Sequence, residues 1–109
     1  MIVVTGGSGK LGRVCVRDLM DHGYEVTSID MVPPPAQSNP PKSTDVRFSR
    51  ADLTDFGQAM AALSMIDERV EKVTGVVHLG AIAAPGLATN HVTFSVNTIS
   101  TYNIFEAAR

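Results

Sequence analysis

The 109-residue chain has a single cysteine, Cys15, and no tryptophan. One thiol cannot close an internal disulfide, and a lone cysteine cannot form a metal-binding cluster. His22, His78 and His91 stand far apart, so their spacing matches no metal-ligand pattern and no metal site is expected. An excess of one charge is also missing: nine Lys and Arg against eleven Asp and Glu leave a formal net charge of −2. Such a balance supplies no basic face for nucleic acid or for an anionic membrane surface. No apolar run approaches the roughly 20 residues that cross a bilayer. Met1 leads straight into Ile2, Val3 and Val4, without the basic segment and small-residue cleavage site of a secretory leader. A cytoplasmic protein with neither a nucleic-acid nor a membrane partner is expected.

What is present is 44% hydrophobic residues, enough for the core of one domain. Ile2, Val3 and Val4 form a short β-branched run that stops at a glycine cluster, the pattern of a fully buried strand. Leu11, Val14, Cys15, Asp18 and Leu19 then recur at helical spacing, and His22-Gly23 closes that helix. Residues 24–30 predict a second strand ending on an acid. Residues 31–44 carry five of the six prolines and predict a surface loop. Val46, Arg47 and Phe48 make a weak third strand. Thr54 or Asp55 caps a second helix whose buried stripe is Phe56, Ala59, Met60, Leu63 and Ile66. Residues 75–79 predict a fourth strand, 81–90 a small-residue loop, and a last helix runs from about Val92. Strands and helices that alternate in this way imply a parallel α/β sheet with right-handed crossovers and helices on both faces.

Between the first strand and the first helix lies Thr5-Gly6-Gly7-Ser8-Gly9-Lys10-Leu11-Gly12. Gly6, Gly9 and Gly12 form a G-x-x-G-x-x-G frame. Gly6 permits a tight turn, Gly9 lets the backbone approach a pyrophosphate, and Gly12 lets helix and strand pack closely. The free N–H groups of the helix start, with the helix dipole, then face two phosphate charges. A P-loop is excluded, because Val4 and Leu11 stand where it needs a glycine and a Ser or Thr. Asp30 closes the second strand, where its carboxylate can accept hydrogen bonds from both adenosine ribose hydroxyls and oppose a 2′-phosphate. NAD is therefore expected over NADP. Lys10 and Arg13 are the two cations that could instead lean toward an extra phosphate.

Together these residues resemble the extended short-chain dehydrogenase/reductases, specifically their NAD-dependent epimerase/dehydratase branch. The resemblance runs through the glycine motif, Asp30, Ala51-Asp52-Leu53-Thr54 and His78-Leu79-Gly80-Ala81. It ends with Asn97 and the run Asn103-Ile104-Phe105-Glu106-Ala107-Ala108. Two positions depart from the pattern: Lys10 replaces a usual aromatic residue and Ser100 a usual glycine. The resemblance implies a Rossmann-type doubly wound parallel sheet, of which residues 1–109 are the N-terminal, cofactor-binding part with about four strands. It implies that Gly6, Gly9, Lys10, Leu11 and Gly12 surround the pyrophosphate and that Asp52 bonds the adenine amino group beside Leu53. Leu79, Gly80 and Ala81 would follow the phosphates and nicotinamide ribose, with Asn97 facing the cofactor.

The family's chemistry uses a Tyr-x-x-x-Lys pair, in which lysine lowers the tyrosine pKa for proton exchange with a substrate hydroxyl. Tyr24 and Tyr102 are followed four residues later by Ser28 and Glu106, so no catalytic residue is expected among these 109. The fifth strand, active site and substrate lobe are expected beyond them. The implied activity is an NAD-dependent oxidoreductase or epimerase acting on a hydroxyl-bearing small molecule, a nucleotide sugar by family expectation. A non-catalytic NAD(P) sensor of the same fold is the alternative. On the last helix, Val92, Val96 and Ile99 mark one apolar stripe and Phe94, Thr98, Thr101 and Phe105 another. One is expected on the sheet, and the other under a second subunit or a later segment.

Overall fold

The structure, a computed structural model, describes residues 1–36, 46–64 and 72–109. Seven elements follow in order: β1 Ile2–Thr5, α1 Lys10–Asp21, β2 Val26–Asp30, β3 Arg47–Arg50, α2 Phe56–Ser64, β4 Gly75–His78 and α3 Asn90–Ala107. All four strands are parallel and lie in the order β3-β2-β1-β4. The chain therefore moves outward from β1 to β3 and then returns to β1's other side for β4. At such a reversal the loops beyond the strands' C-terminal ends part and leave a crevice.

The sheet sorts its side chains by strand alternation. Val3 and Ile29, both fully buried, point toward α2 and α3 and pack with Ala59, Ala62, Leu63 and Ile104. Val4 and Val26 point the other way and pack with Val16 of α1. Burying β-branched side chains on both faces is what parallel strands require. Met1 extends β1 at its start: its amide carbonyl accepts from Thr74 N at 2.9 Å, and its side chain is buried.

The helices form where the sequence predicts, but several buried faces differ. On α1 the buried positions are Gly12 and Val16, while Leu11 and Val14 are about two-thirds exposed. The glycine turn brings α1 so close to β1 that the smallest residues take the inner side. On α2 the inner residues are Ala59, Ala62 and Leu63, whereas Phe56 and Met60 are exposed. Alanines let α2 lie close to α3. Asp55, not Thr54, caps α2: its Oδ1 accepts from Gln58 N at 2.9 Å. On α3 the buried residues are Ser100, Asn103 and Ile104, with Val96 half-buried. Neither expected stripe seats whole on the sheet side, since Val92, Ile99, Phe94 and Phe105 are exposed. Polar side chains can occupy the inner face because their hydrogen bonds are made there. Ile66 and positions 37–44 of the proline-rich loop lie outside the described residues.

Candidate functional site

The turn after β1 is built around two glycines. Gly6 has φ +69°, and a Cβ there would stand 2.7 Å from the carbonyl carbon and oxygen of Leu79. Gly12 faces the turn itself, where a Cβ would overlap the Gly6 carbonyl oxygen and approach the Gly7 Cα to 2.7 Å. Its role is thus more local than helix–strand packing: it seats the helix start on the backbone of the glycine turn. Gly7 also needs its missing side chain, since a Cβ would overlap the hydroxyl of Ser28 on β2. Gly6 N donates to Ile29 O at 2.8 Å, which fixes the turn to the end of β2.

No side chain caps α1 at Gly9. The first intrahelical bond here runs from Arg13 N to Gly9 O at 3.0 Å, so the amides of Lys10, Leu11 and Gly12 have no partner within the helix. Three donors without an intrahelical partner at the positive end of a helix are the arrangement that favours a nearby negative charge. Lys10 and Leu11 are exposed at its rim. Arg13 turns back along the helix start, its Nε donating to Gly9 O at 3.3 Å.

Asp30 ends β2 beside this turn. Its Oδ2 accepts from Ser8 N at 3.0 Å and its Oδ1 from Met31 N at 2.7 Å. Ser8 Oγ in turn donates to Val32 O at 2.6 Å. The glycine loop and the end of β2 are thereby tied into one unit. A carboxylate has about four acceptor positions, so Asp30 keeps two for hydroxyl donors in the crevice.

After β3 the chain makes a compact turn at Asp52. Its Oδ1 accepts from Thr54 N at 2.9 Å and from Thr54 Oγ1 at 2.7 Å. These two bonds, the hydroxyl's first, hold the Asp52 carboxyl below its usual pKa of 3.8. Asp52 N donates to Gln58 Oε1 at 2.9 Å, which ties the turn to the first part of α2. On the opposite wall, Thr5 Oγ1 accepts from Leu79 N and Gly80 N, both at 3.1 Å. Thr5 also bonds His78 Nδ1 at 2.7 Å.

Between these walls lies a cleft of about 200 Å³ bounded by Gly6, Asp30, Asp52, Leu53, Gly80 and Ala81, with Ile82, Val96 and Ser100 at its far side. Six of the predicted site residues are brought together here, and the α1 start adjoins them. Leu79 supports the wall through its amide. Asn97 does not line the cleft: its Oδ1 accepts from Ile82 N at 2.8 Å and its Nδ2 donates to Ile82 O at 3.1 Å. Sequence reasoning missed Ser8, Gly7 and Asn103, whose Nδ2 donates to Leu53 O at 2.9 Å. The signal for Asn103 was its place in the motif run, and that for Gly7 the doubled glycine. Among the described residues no group of His, Cys, Asp or Glu could hold a metal ion. No described helix is long and apolar enough to cross a membrane.

A four-stranded parallel sheet reversing at β1, with a glycine turn, an uncapped helix and an acid at the next strand end, defines a Rossmann-type dinucleotide fold. Residues 2–109 match the model of the NAD dependent epimerase/dehydratase family, and the chain belongs to that family. It is 32% identical over 108 residues to a 3-beta-hydroxysteroid dehydrogenase of Mycolicibacterium neoaurum, covering 99% of this chain and 28% of that protein. It is 31% identical over 122 residues to a UDP-glucose 4-epimerase of Corynebacterium glutamicum, covering 93% of this chain and 36% of the relative. The crystal structure of a Thermus thermophilus UDP-glucose 4-epimerase in complex with NAD superposes with a TM-score of 0.76 at 33% identity. That match covers 97% of this chain and 32% of the other. The chain thus spans about a third of the length of these proteins.

Proposed function

We propose that the chain is the NAD-holding part of an oxidoreductase or epimerase acting on a hydroxyl-bearing substrate. The observation that carries this reading is the uncapped start of α1, packed on Gly6 and Gly7, with Asp30 bonded to the same loop. The residues fit the cofactor: the amides of Lys10, Leu11 and Gly12 meet the pyrophosphate, and Asp30's remaining acceptor positions meet the adenosine ribose. Asp52's free oxygen accepts from the adenine amino group, beside Leu53. Bound there, NAD would supply the hydride acceptor. The protein's own groups would bind and orient it, with the amides and dipole of the α1 start facing the phosphates.

The substrate class assigned is a nucleotide sugar, which the likeness to two UDP-glucose 4-epimerases supports. Proton transfer is assigned to residues outside these 109, which hold no Tyr-x-x-x-Lys pair. Isothermal titration of the intact protein tests the cofactor. NAD should bind more tightly than NADP by about 1–3 kcal/mol, from a charged hydrogen bond kept and a like-charge contact avoided. Equal or tighter NADP binding overturns this and points to Lys10 or Arg13. Binding without NADH formation on any hydroxyl substrate would make the protein a sensor instead of an enzyme.

The exposed face of α3 carries Phe94, Tyr102 and Phe105, 72%, 64% and 74% exposed. We assign this face to pairing with a second copy of the protein. Sedimentation of the intact protein carrying Phe94→Glu and Phe105→Glu should show monomer, and an unchanged dimer removes the assignment.

A further inference from the structure

His78 sits at the end of β4 in a chain of hydrogen bonds whose directions can be assigned throughout. A hydroxyl offers one donor and two acceptor positions. Thr5 Oγ1 accepts from the Leu79 and Gly80 amides, sharing the Leu79 amide with its own backbone carbonyl at 3.1 Å. With both amides pointing at the oxygen, its proton is directed to His78 Nδ1, 2.7 Å away. With Nδ1 accepting, the neutral ring carries its proton on Nε2, which lies 3.3 Å from Thr101 Oγ1. Thr101 in turn donates to Asn97 O at 2.7 Å, and the Asn97 side chain grips both backbone polar atoms of Ile82. The chain thus reaches both ends of the segment 79–82, one wall of the cleft.

We infer that His78 is a positioning residue for the cofactor cleft, its neutral Nε2–H form turning the Thr5 hydroxyl so that its oxygen fixes the Leu79 and Gly80 amides. The inference rests on the reading of this cleft as an NAD site. A proton added at Nδ1 would place two donors face to face. The Thr5 hydroxyl would then have to rotate and give one acceptor position to Nδ1–H, loosening its hold on the Gly80 amide, while the Leu79 amide keeps the Thr5 backbone carbonyl at 3.1 Å. Burial already holds the His78 pKa below its usual 6.5. β1 and α2 place no ionisable side chain against it, and α3 carries only His91, Tyr102 and Glu106. Glu106 is paired with Arg109, and Tyr102 is exposed. Among the described residues no carboxylate is therefore bonded to the ring to favour the imidazolium. The sign is fixed: the binding-competent form is the deprotonated one, so affinity is full above pH 6.5 and falls on acidification.

The test combines NAD titrations of the intact protein from about pH 8 to about pH 5 with nitrogen-resolved NMR of the histidine rings in the ligand-free protein. Below the His78 pKa, NAD affinity should fall by up to about tenfold per pH unit, the limit for one linked proton. His78→Asn keeps an acceptor for Thr5 and cannot titrate, so its affinity should be flat over that range. Thr5→Val should weaken NAD about three- to tenfold at every pH, through loss of one shared acceptor. The NMR should show the Nε2–H tautomer, a result that needs no variant to fold. An Nδ1–H tautomer, or an unchanged acid slope in His78→Asn, overturns the inference. Absence of NAD binding at about pH 8 would overturn the cofactor reading instead, and the tautomer alone would then decide the hydrogen-bond chain.

Discussion

Asn97 and Asn103, both on α3, hold opposite walls of the cleft: Asn97 bonds the backbone of Ile82, and Asn103 bonds the carbonyl of Leu53. One helix therefore sets the distance between two loops that follow different strands. Leu53 also approaches Gly80, where a Cβ would come within 3.3 Å of its Cδ1, so the walls meet at the base. The geometry of the cleft is a property of α3 as much as of the glycine turn.

Asn103→Ala should lower stability by about 1–3 kcal/mol, the cost of leaving a buried carbonyl without its donor. Urea unfolding measures this. NAD affinity should fall in the same variant, because the Asp52–Leu53 turn loses its tether. A variant as stable as wild type would show that water or a shifted backbone replaces the bond.

Gly12→Ala should be disproportionately harmful for a single methyl in a helix, where alanine is ordinarily favoured. The helix-propensity gain of about 1 kcal/mol is opposed by overlap with backbone atoms of Gly6 and Gly7, which cannot rotate away. Overpacking of this kind costs about 1–3 kcal/mol or more, and the displaced helix start should reduce NAD binding further. Thermal melting with and without NAD separates the two effects.

Ser28→Ala should be neutral or stabilising. Ser28 is buried beneath Gly7, and its hydroxyl has no hydrogen-bond partner among the described residues. Removing a desolvated, unpaired donor while keeping the Cβ should add up to about 1 kcal/mol. Ser28→Val, with a larger side chain under the same glycine, should instead destabilise. Paired denaturation curves check both signs.

The Asp52 turn predicts an acid response separate from that of His78. Because its carboxyl titrates below 3.8 in the folded protein, the stability it contributes is present above that value and is lost as pH falls through the folded pKa. Thr54→Val should raise the Asp52 pKa toward 3.8 by removing the larger of the two causes. Carbon-detected NMR titration of the Asp52 carboxyl reads this directly.

The strands, the glycine turn and Asp30 were legible because each depends on local chemistry: β-branched runs, missing Cβ atoms and an acid at a strand end. The faces of the helices were not. Ala59 and Leu63 lie inside as their spacing predicts, but Leu11, Val14, Phe56 and Met60 look like core by spacing and are exposed, while Gly12, Ala62 and Ser100 lie inside. Periodicity identifies a helix and ranks its faces by hydrophobicity, but close approach between elements is decided by size. The hold of Asn97 on the backbone of Ile82 was not legible, because a pattern position does not say which backbone an amide will reach. The hydrogen-bond chain through Thr5 and His78 joins residues 73 apart in sequence, and no spacing rule marks it.

The central position of β1 has a consequence for synthesis. Ile2 to Thr5 emerge well before one of their two partners, β4, whose register runs from Gly75 to His78. At roughly 5–20 residues per second, the nascent chain carries one side of its most apolar strand unpaired for several seconds. During that interval β2 can pair with β1 on one edge, while the other edge stays open to any neighbouring strand. The strand order therefore sets how long that edge stays open during translation, and a slower ribosome would lengthen the exposure without changing the final fold.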